Sequence, residues 1–205
     1  METEPRAVAA GLRGVYDRQA VHFDQTRTRA LYERGWLDRA LAMTEPGSVV
    51  LDLGCGAGEP IAAYVVSQGR QVWGLDFSAA MIGLAAARMP EQTWMVADMR
   101  ALHLGRTFAA IIGWDSFFHL TPPEQMAVIP KLAAHLEDGG AVLLTVGPDA
   151  GEPLGCVGGE TVYHASLAPA GYRKLFADVG MAVIDFVPND PGCGGRSVLL
   201  ARKGG

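Results

Sequence analysis

The run SVVLDLGCGAGEP, residues 48–60, constrains this chain more than any other stretch. A short apolar segment leads directly into glycines at alternate positions, Gly54, Gly56 and Gly58. Asp52 precedes them and Glu59-Pro60 follows. An apolar run of strand length suits a strand buried on both faces. Glycine just beyond such a strand allows φ > 0 and removes the Cβ that would hold a ligand away. IAAYVVSQG (61–69) then reads as a helix ended by glycine. Strand, glycine turn and helix open an α/β sheet, and such sheets take ligands at the carboxyl ends of their strands.

The rest of the chain repeats the alternation. QVWGLDF (71–77) reads as a second strand and SAAMIGLAAARM (78–89) as a helix with Ser78 as its cap. QTWMVAD (92–98) and FAAIIGWD (108–115) are the third and fourth strands. PPEQMAVIPKLAAHLEDGG (122–140) reads as a helix stopped by Gly139-Gly140 and kinked at Pro130. AVLLTVG (141–147) is the fifth strand. A Gly-rich irregular segment, 148–166, follows and reads as a lid or extended hairpin. SLAPAGYRKLFADVG (166–180) is helical, with Leu167, Tyr172, Leu175 and Phe176 on or near one face. AVIDFVP (182–188) and RSVLLARK (196–203) have no helix between them and read as antiparallel neighbours. Residues 1–45 are amphipathic and helical. The expected organisation is one domain over 1–205, with a helical cover (1–45), a ligand-binding core (46–147), the insert (148–166) and a C-terminal helix with a strand pair (167–205).

Composition narrows the class. The 205 residues are 49% hydrophobic and 19% charged, which suits a soluble single core. The net charge of −5 comes without any basic run, which argues against a nucleic-acid partner. No apolar run is long enough to span a membrane, and the N-terminus lacks the apolar stretch of a signal peptide. Cys55, Cys156 and Cys193 are dispersed, so they read as free thiols of a reducing compartment, with a three-thiolate metal or metalloid site as the alternative. A cytoplasmic protein is expected.

The glycine spacing bears on the ligand. A dinucleotide site uses G-x-G-x-x-G, with the pyrophosphate resting on the helix N-terminus. Here the spacing is G-x-G-x-G, and Glu59 takes the place of the third fingerprint glycine. A carboxylate there repels a pyrophosphate, and Pro60 as the first helical residue removes one N–H donor. It does not repel an adenosyl ligand carrying a sulfonium and an ammonium. Against this, Glu59 can simply complement the helix dipole. Asp76 ends the second strand, 20 residues beyond Gly56. That is near the spacing of a ribose-binding carboxylate. Phe77 can pack on an adenine, Asp98 can accept from its amino group, and Met99 can pack against the ring. Any one of these acids can equally be a helix cap. Asp52, Asp76 and Asp98 together, at successive strand ends, favour a ligand site.

With these motifs in view, the chain resembles the class I S-adenosylmethionine-dependent methyltransferases. VLDLGCGAG is similar to their first motif, VWGLDFS to the second, VADMR to the third, AAIIGWDSFFHL to the fourth strand, and LEDGGAVLLTV to the fifth. The resemblance implies a Rossmann-like, doubly wound, mostly parallel sheet of seven strands with helices on both faces. Its order would be 3-2-1-4-5-7-6, with the last strand antiparallel. The resemblance also implies that Asp52 and the turn Gly54-Cys55-Gly56-Ala57-Gly58 lie near the methionine moiety. Asp76 would then be at the ribose, and Phe77, Asp98 and Met99 at the adenine. YDRQAVHFDQTR is similar to the cover helix of small-molecule members, in which an aromatic near Tyr16 closes over the cofactor.

Methyl transfer mainly requires an acceptor held in line and close, with a base where the acceptor is an unactivated O–H or N–H. The polar cluster after the fourth strand, Trp114, Asp115 and Ser116 followed by FFHL, adjoins the expected pocket. Trp114 is expected to border the cofactor. Asp115 or His119 can orient or deprotonate an acceptor, although His119 among apolar neighbours can also be a core or capping residue. His164, on the insert, is the alternative base. The Asn/Asp-Pro-Pro-aromatic motif of nucleic-acid N-methylating enzymes is absent, and no metal-ligand cluster stands out. The expected function is methyl transfer from S-adenosylmethionine to a small molecule, leaving S-adenosylhomocysteine, by a monomer or homodimer. A non-catalytic S-adenosylmethionine-binding module and an NAD(P)-dependent reductase are the rival readings. The acceptor atom (O, N, S or C) is left open.

Overall fold

The computed structural model describes residues 5–205. The helical reading of residues 1–4 lies outside them. In chain order the elements are α1 (Pro5–Thr26), α2 (Arg34–Leu41), β1 (Val49–Leu53), α3 (Ile61–Ser67), β2 (Gln71–Asp76), α4 (Ala79–Arg88), β3 (Thr93–Val96), β4 (Phe108–Gly113), α5 (Pro122–Ala134), β5 (Leu136–Val146), β6 (Leu154–Val157), β7 (Glu160–Tyr163), α6 (Pro169–Asp178), β8 (Met181–Asp190) and β9 (Arg196–Lys203).

Seven strands form one sheet in the order β3-β2-β1-β4-β5-β9-β8. Only β9 runs against its neighbours, pairing antiparallel with both β5 and β8. This is the topology that the family resemblance implied, since the insert strands β6 and β7 form a separate hairpin. The strand sequences explain the layering. Along β1, β4 and β5, alternate residues enter two different cores. Leu51, Leu53, Phe108, Ile111, Val142 and Leu144 pack against α5 and α6. Val50, Ala110, Ile112, Ala141 and Leu143 pack against α2 and α3. Near-continuous apolar strands are what a sheet covered on both faces requires.

Local signals set most boundaries. Ser78 caps α4 by accepting from the Met81 amide at 3.2 Å. Thr121 and Glu124 form a capping box at the start of α5, with Pro122 in its first turn. One expected boundary is corrected. The helix continues through Pro130 but ends at Ala134, so LEDGG opens β5 instead of closing the helix. His135 turns the chain: its Nδ1–H donates to Lys131 O at 2.7 Å and its Nε2 accepts the Leu104 amide at 2.9 Å. Its carbonyl accepts from Phe108, which starts the new pairing. The glycine pair then supplies an irregularity in the β4–β5 register. Gly139 has φ +77°, and a Cβ on Gly140 would lie 2.8 Å from Ala109 O.

The winding reverses at β1, whose neighbours are β2 on one side and β4 on the other. That reversal opens a crevice at the carboxyl ends of the strands. Helix α1 roofs it. Leu12 and Val15 of α1 pack on Val162 and Tyr163 of the hairpin, and Arg18 and Gln19 bond Glu160.

Candidate active site

Beneath α1 lies a cavity of about 260 Å³, lined by the glycine turn and by the residues following β2, β3 and β4. The turn is held by its own backbone. The amides of Gly54 and Cys55 both donate to Leu75 O, at 2.7 and 3.0 Å. The three glycines serve different ends. A Cβ on Gly54 would stand 2.3 Å from Ser116 Cβ, and one on Gly58 would stand 2.8 Å from Met89 Cε. Those two make room for the protein itself. Gly56 (φ +52°) is the open one: a Cβ there would meet nothing nearer than Met81 Sδ at 4.0 Å. Cys55 also lines the cavity, and burial pushes its thiol well above the usual range.

Asp76 ties the turn to the next helix. Its Oδ2 accepts the Gly56 amide at 3.0 Å and its Oδ1 the Ser78 amide at 2.8 Å. Burial raises its pKa to about 6, against the lowering effect of those amides. Asp52, at the end of β1, is 3% exposed. Burial first, and the charge of Asp76 second, raise its pKa to about 7, while Arg27 acts in the opposite sense. Among the described residues, Asp52 Oδ2 and the indole Nε1–H of Trp114 are buried without a hydrogen-bond partner. Both residues line the cavity. An unpaired buried acceptor and an unpaired buried donor are each costly, by about 1–3 kcal/mol. Together they complement a ligand that brings a cationic donor and an anionic acceptor, as an α-amino acid does.

Phe77, Asp98 and Met99 are also in the lining. Asp98 is not free. Arg100 donates to both its oxygens, and these bonds hold the carboxyl below its usual range against the opposing effect of burial. Glu59 corrects the sequence argument. Arg29 and Arg88 bind it at 3.1 and 3.3 Å, and both arginines also bind Asp24 at the end of α1. Its charge is compensated, so it exerts little net repulsion. Pro60 precedes the helix as its cap, and the Ala63 amide is already donated to Gly58 O. What disfavours a pyrophosphate is this shortage of free amides, more than the carboxylate.

On the far side of the cavity, Tyr16 and His119 meet. Tyr16 Oη lies 2.7 Å from His119 Nε2, and His119 Nδ1 lies 2.8 Å from Tyr163 O. A carbonyl oxygen only accepts, so Nδ1 carries the proton and Tyr16 donates to the Nε2 lone pair. Burial lowers the His119 pKa to about 4 and raises the Tyr16 hydroxyl well above its normal range. The imidazole is therefore neutral at physiological pH, and its Nε2 lone pair serves as a hydrogen-bond acceptor. Folded His119 resists protonation, so its contribution to stability is full above pH 6.5 and is lost as pH falls towards 4. We expect the His119 ring signals in an NMR titration to stay unchanged from pH 8 to 5.5. A midpoint near 6.5 would refute the lowering of the His119 pKa by burial.

Asp115 lines the cavity in a strained backbone conformation, φ +52°. Its amide donates to Thr145 Oγ1 at 2.7 Å, and its carboxylate takes two bonds from Arg196, at 3.2 and 3.0 Å. This pairing fixes the Asp115 carboxylate in place as a hydrogen-bond acceptor. His164 is placed elsewhere. It packs beside Phe118 and His119, with ring centroids 4.6 and 5.0 Å away, and is not in the lining. Sequence reasoning missed Arg27, which lines the cavity, together with its partners Tyr32 and Glu33. It also missed Arg196. An arginine-rich stretch, RTR at 27–29, was the available signal for the first.

Comparison with known proteins bears on the family and the fold. Residues 50–140 match a family described as a methyltransferase domain. A dTDP-3-amino-3,4,6-trideoxy-α-D-glucopyranose N,N-dimethyltransferase of Streptomyces venezuelae is 33% identical over 109 residues, covering 52% of this chain and 46% of that protein. A trans-aconitate 2-methyltransferase of an Azoarcus species is 34% identical over 169 residues, covering 78% and 61%. The chain thus spans about half the length of the curated relatives it matches, between 38% and 61%. In fold it is similar to a 1,6-didemethyltoxoflavin-N1-methyltransferase of Burkholderia thailandensis, solved with 1,6-didemethyltoxoflavin and S-adenosylhomocysteine. The TM-score is 0.75 at 20% identity, over 100% of this chain and 92% of that one. The family match, these relatives, the motifs and the sheet order together support a class I S-adenosylmethionine-dependent methyltransferase.

Proposed function

We propose that this protein transfers a methyl group from S-adenosylmethionine to a small-molecule acceptor within a single domain. The observation that carries the reading is the pair of unpartnered buried atoms, Asp52 Oδ2 and Trp114 Nε1, beside a glycine turn and the buried carboxylate of Asp76. Asp52 would accept from the ligand's ammonium and Trp114 would donate to its carboxylate. Asp76, whose oxygens each hold one backbone amide, retains lone pairs for the two ribose hydroxyls. Gly56, Phe77 and Met99 would flank the nucleoside, and Asp98 would take the adenine amino group. When bound, S-adenosylmethionine supplies a methyl group on a positively charged sulfur, already activated for displacement.

The chain's own residues then have positioning work. Tyr16 closes the roof and excludes water. Asp115, clamped by Arg196, accepts from an acceptor N–H or O–H and orients it. His119 stays neutral and fixes the Tyr16 hydroxyl at the cavity by accepting its hydrogen bond, and the proton released passes to bulk water. The two relatives described above are named for methylation of a dTDP-amino sugar and of trans-aconitate, which supports a small acceptor. The surplus of acidic over basic residues, 22 against 17, supports the absence of a nucleic-acid substrate. Among the described residues, no helix is long and apolar enough to cross a membrane.

Calorimetry tests the cofactor directly. S-adenosylhomocysteine is expected to bind in the micromolar range, while NAD and NADP give no heat. Tight NAD(P) binding without the homocysteine ligand would overturn the proposal. Release of S-adenosylhomocysteine with an acceptor panel of amines, hydroxy compounds and carboxylates then separates an enzyme from a binding module.

A further inference from the structure

Arg27 faces the cavity close enough to Asp52 to lower its pKa, yet the two do not pair. Other groups hold the guanidinium. Nη2 donates to Glu33 Oε1 at 2.8 Å and Nη1 to the Tyr32 hydroxyl at 2.9 Å. Glu33 is fully buried at 0% exposure, and its Oε2 has no partner among the described residues. It is also anchored, because its carbonyl accepts the Trp36 and Leu37 amides at the start of α2, and both side chains sit in the core. The Tyr32 ring is within cation–π range of two guanidiniums, those of Arg27 at 5.8 Å and Arg196 at 5.3 Å. Leu31, just before it, has φ +49°. Strain in a segment held this way is a mark of a functional constraint.

A buried ion pair seldom stabilises a fold more than apolar residues of similar volume would. This one has a different consequence. Free to move, Arg27 would neutralise Asp52 and leave nothing for a ligand ammonium. Glu33 prevents that, and it engages only part of the guanidinium. Two of the five N–H donors of an arginine are occupied here, which leaves others for the cavity.

We propose that Glu33 is a positioning residue that keeps Arg27 apart from Asp52, so that Arg27 takes the carboxylate of the ligand's amino-acid end while Asp52 takes its ammonium. The inference rests on the adenosyl-ligand reading above. Tyr32 supports the same geometry through its hydroxyl and through stacking against both arginines.

Two probes separate this role from a merely structural one. S-adenosylhomocysteine carries the amino-acid end; 5′-methylthioadenosine has the same nucleoside thioether without it. Calorimetry is done on the full chain for wild type, Arg27→Met and Glu33→Gln. Arg27→Met is expected to weaken S-adenosylhomocysteine by about tenfold to a hundredfold, as loss of a charged hydrogen bond does. Glu33→Gln should weaken it by about fivefold to twentyfold, since the neutral amide holds the guanidinium less firmly. Both variants should bind methylthioadenosine within about twofold of wild type. Equal weakening of both probes would make Glu33 a folding residue and overturn the proposal. Unchanged affinity for both would overturn it too. Wild-type binding of neither probe would instead remove the adenosyl reading on which it rests. Should Glu33→Gln not fold, Tyr32→Phe removes only the hydroxyl and is expected to show the same selective loss, a few-fold in size; equal loss or none would count against the proposal.

Discussion

Gly54→Ala is expected to destabilise the protein by roughly 2–5 kcal/mol. A left-handed backbone costs an alanine about 1–2 kcal/mol, and overpacking a fitted site costs about 1–3 more. The clash cannot be relieved cheaply. The new Cβ would lie 2.3 Å from Ser116 Cβ, and Ser116 is held by a bond from its Oγ to Leu53 O at 2.5 Å. Two turn amides bonded to Leu75 would shift with it. Gly56→Ala makes the informative contrast. Its Cβ has open space, so only the backbone cost of about 1–2 kcal/mol applies. That methyl would project into the cavity, however, and S-adenosylhomocysteine affinity is expected to fall steeply. Urea unfolding and calorimetry on the two variants check both halves. Equal stability losses would show that Ser116 does not confine Gly54.

Asp52→Asn should have opposite effects on stability and binding. The folded pKa of about 7 lies above that of an unfolded aspartate, so the folded state favours the protonated acid. The carboxyl is neutral in both states below about pH 4. Its destabilising effect grows from there to pH 7 and is constant above. Asparagine removes that effect, and at pH 8 the ligand-free variant is expected to be more stable by something on the order of 2–4 kcal/mol. The same change should weaken S-adenosylhomocysteine by about thirtyfold or more, through loss of a charged partner for the ammonium. Wild-type binding should release a proton below pH 7. Affinity would then rise with pH between 5 and 7, approaching tenfold per unit, and the variant should lack this slope. A variant no more stable than wild type at pH 8 would count against the raised pKa. Asp76 invites no such clean experiment. Its two backbone bonds brace the turn and α4, so Asp76→Ala would disturb the fold as well as the site.

The strands were legible because each is an apolar run bounded by turn residues, and the sheet is buried on both faces. Gly54, Asp76 and Asp98 were legible as ends of those runs. What the sequence hid depends on pairing across distance. LEDGG looked like a helix stop because glycines end helices. It became a strand because β4 lies alongside to accept it, a contact no local pattern contains. Glu59 looked like an uncompensated charge because Arg29, 30 residues away, comes to it only when α1 crosses the cavity. Asp115 looked like a base because Arg196 is 81 residues away. The two histidines were indistinguishable as text. Packing brings His119 to the cavity and leaves His164 behind it. Arg27 was overlooked because an arginine just past the end of an amphipathic helix ordinarily faces water, and its buried partner Glu33 reaches it only through the turn at Leu31.

The roof over the cavity is fastened differently along its length. Near the hairpin, Leu12 and Val15 hold it by apolar contact. At the other end, Asp24 meets Arg29 and Arg88, and both reach Glu59 on the glycine turn. These side chains are between 15% and 39% exposed, so dissolved ions reach them. Raising ionic strength screens those pairs and the exposed Arg18–Glu160 pair at the hairpin, and leaves the Leu12 and Val15 contacts unweakened. The charged part of the roof's attachment therefore depends on the surrounding salt, while the apolar part depends only on fit.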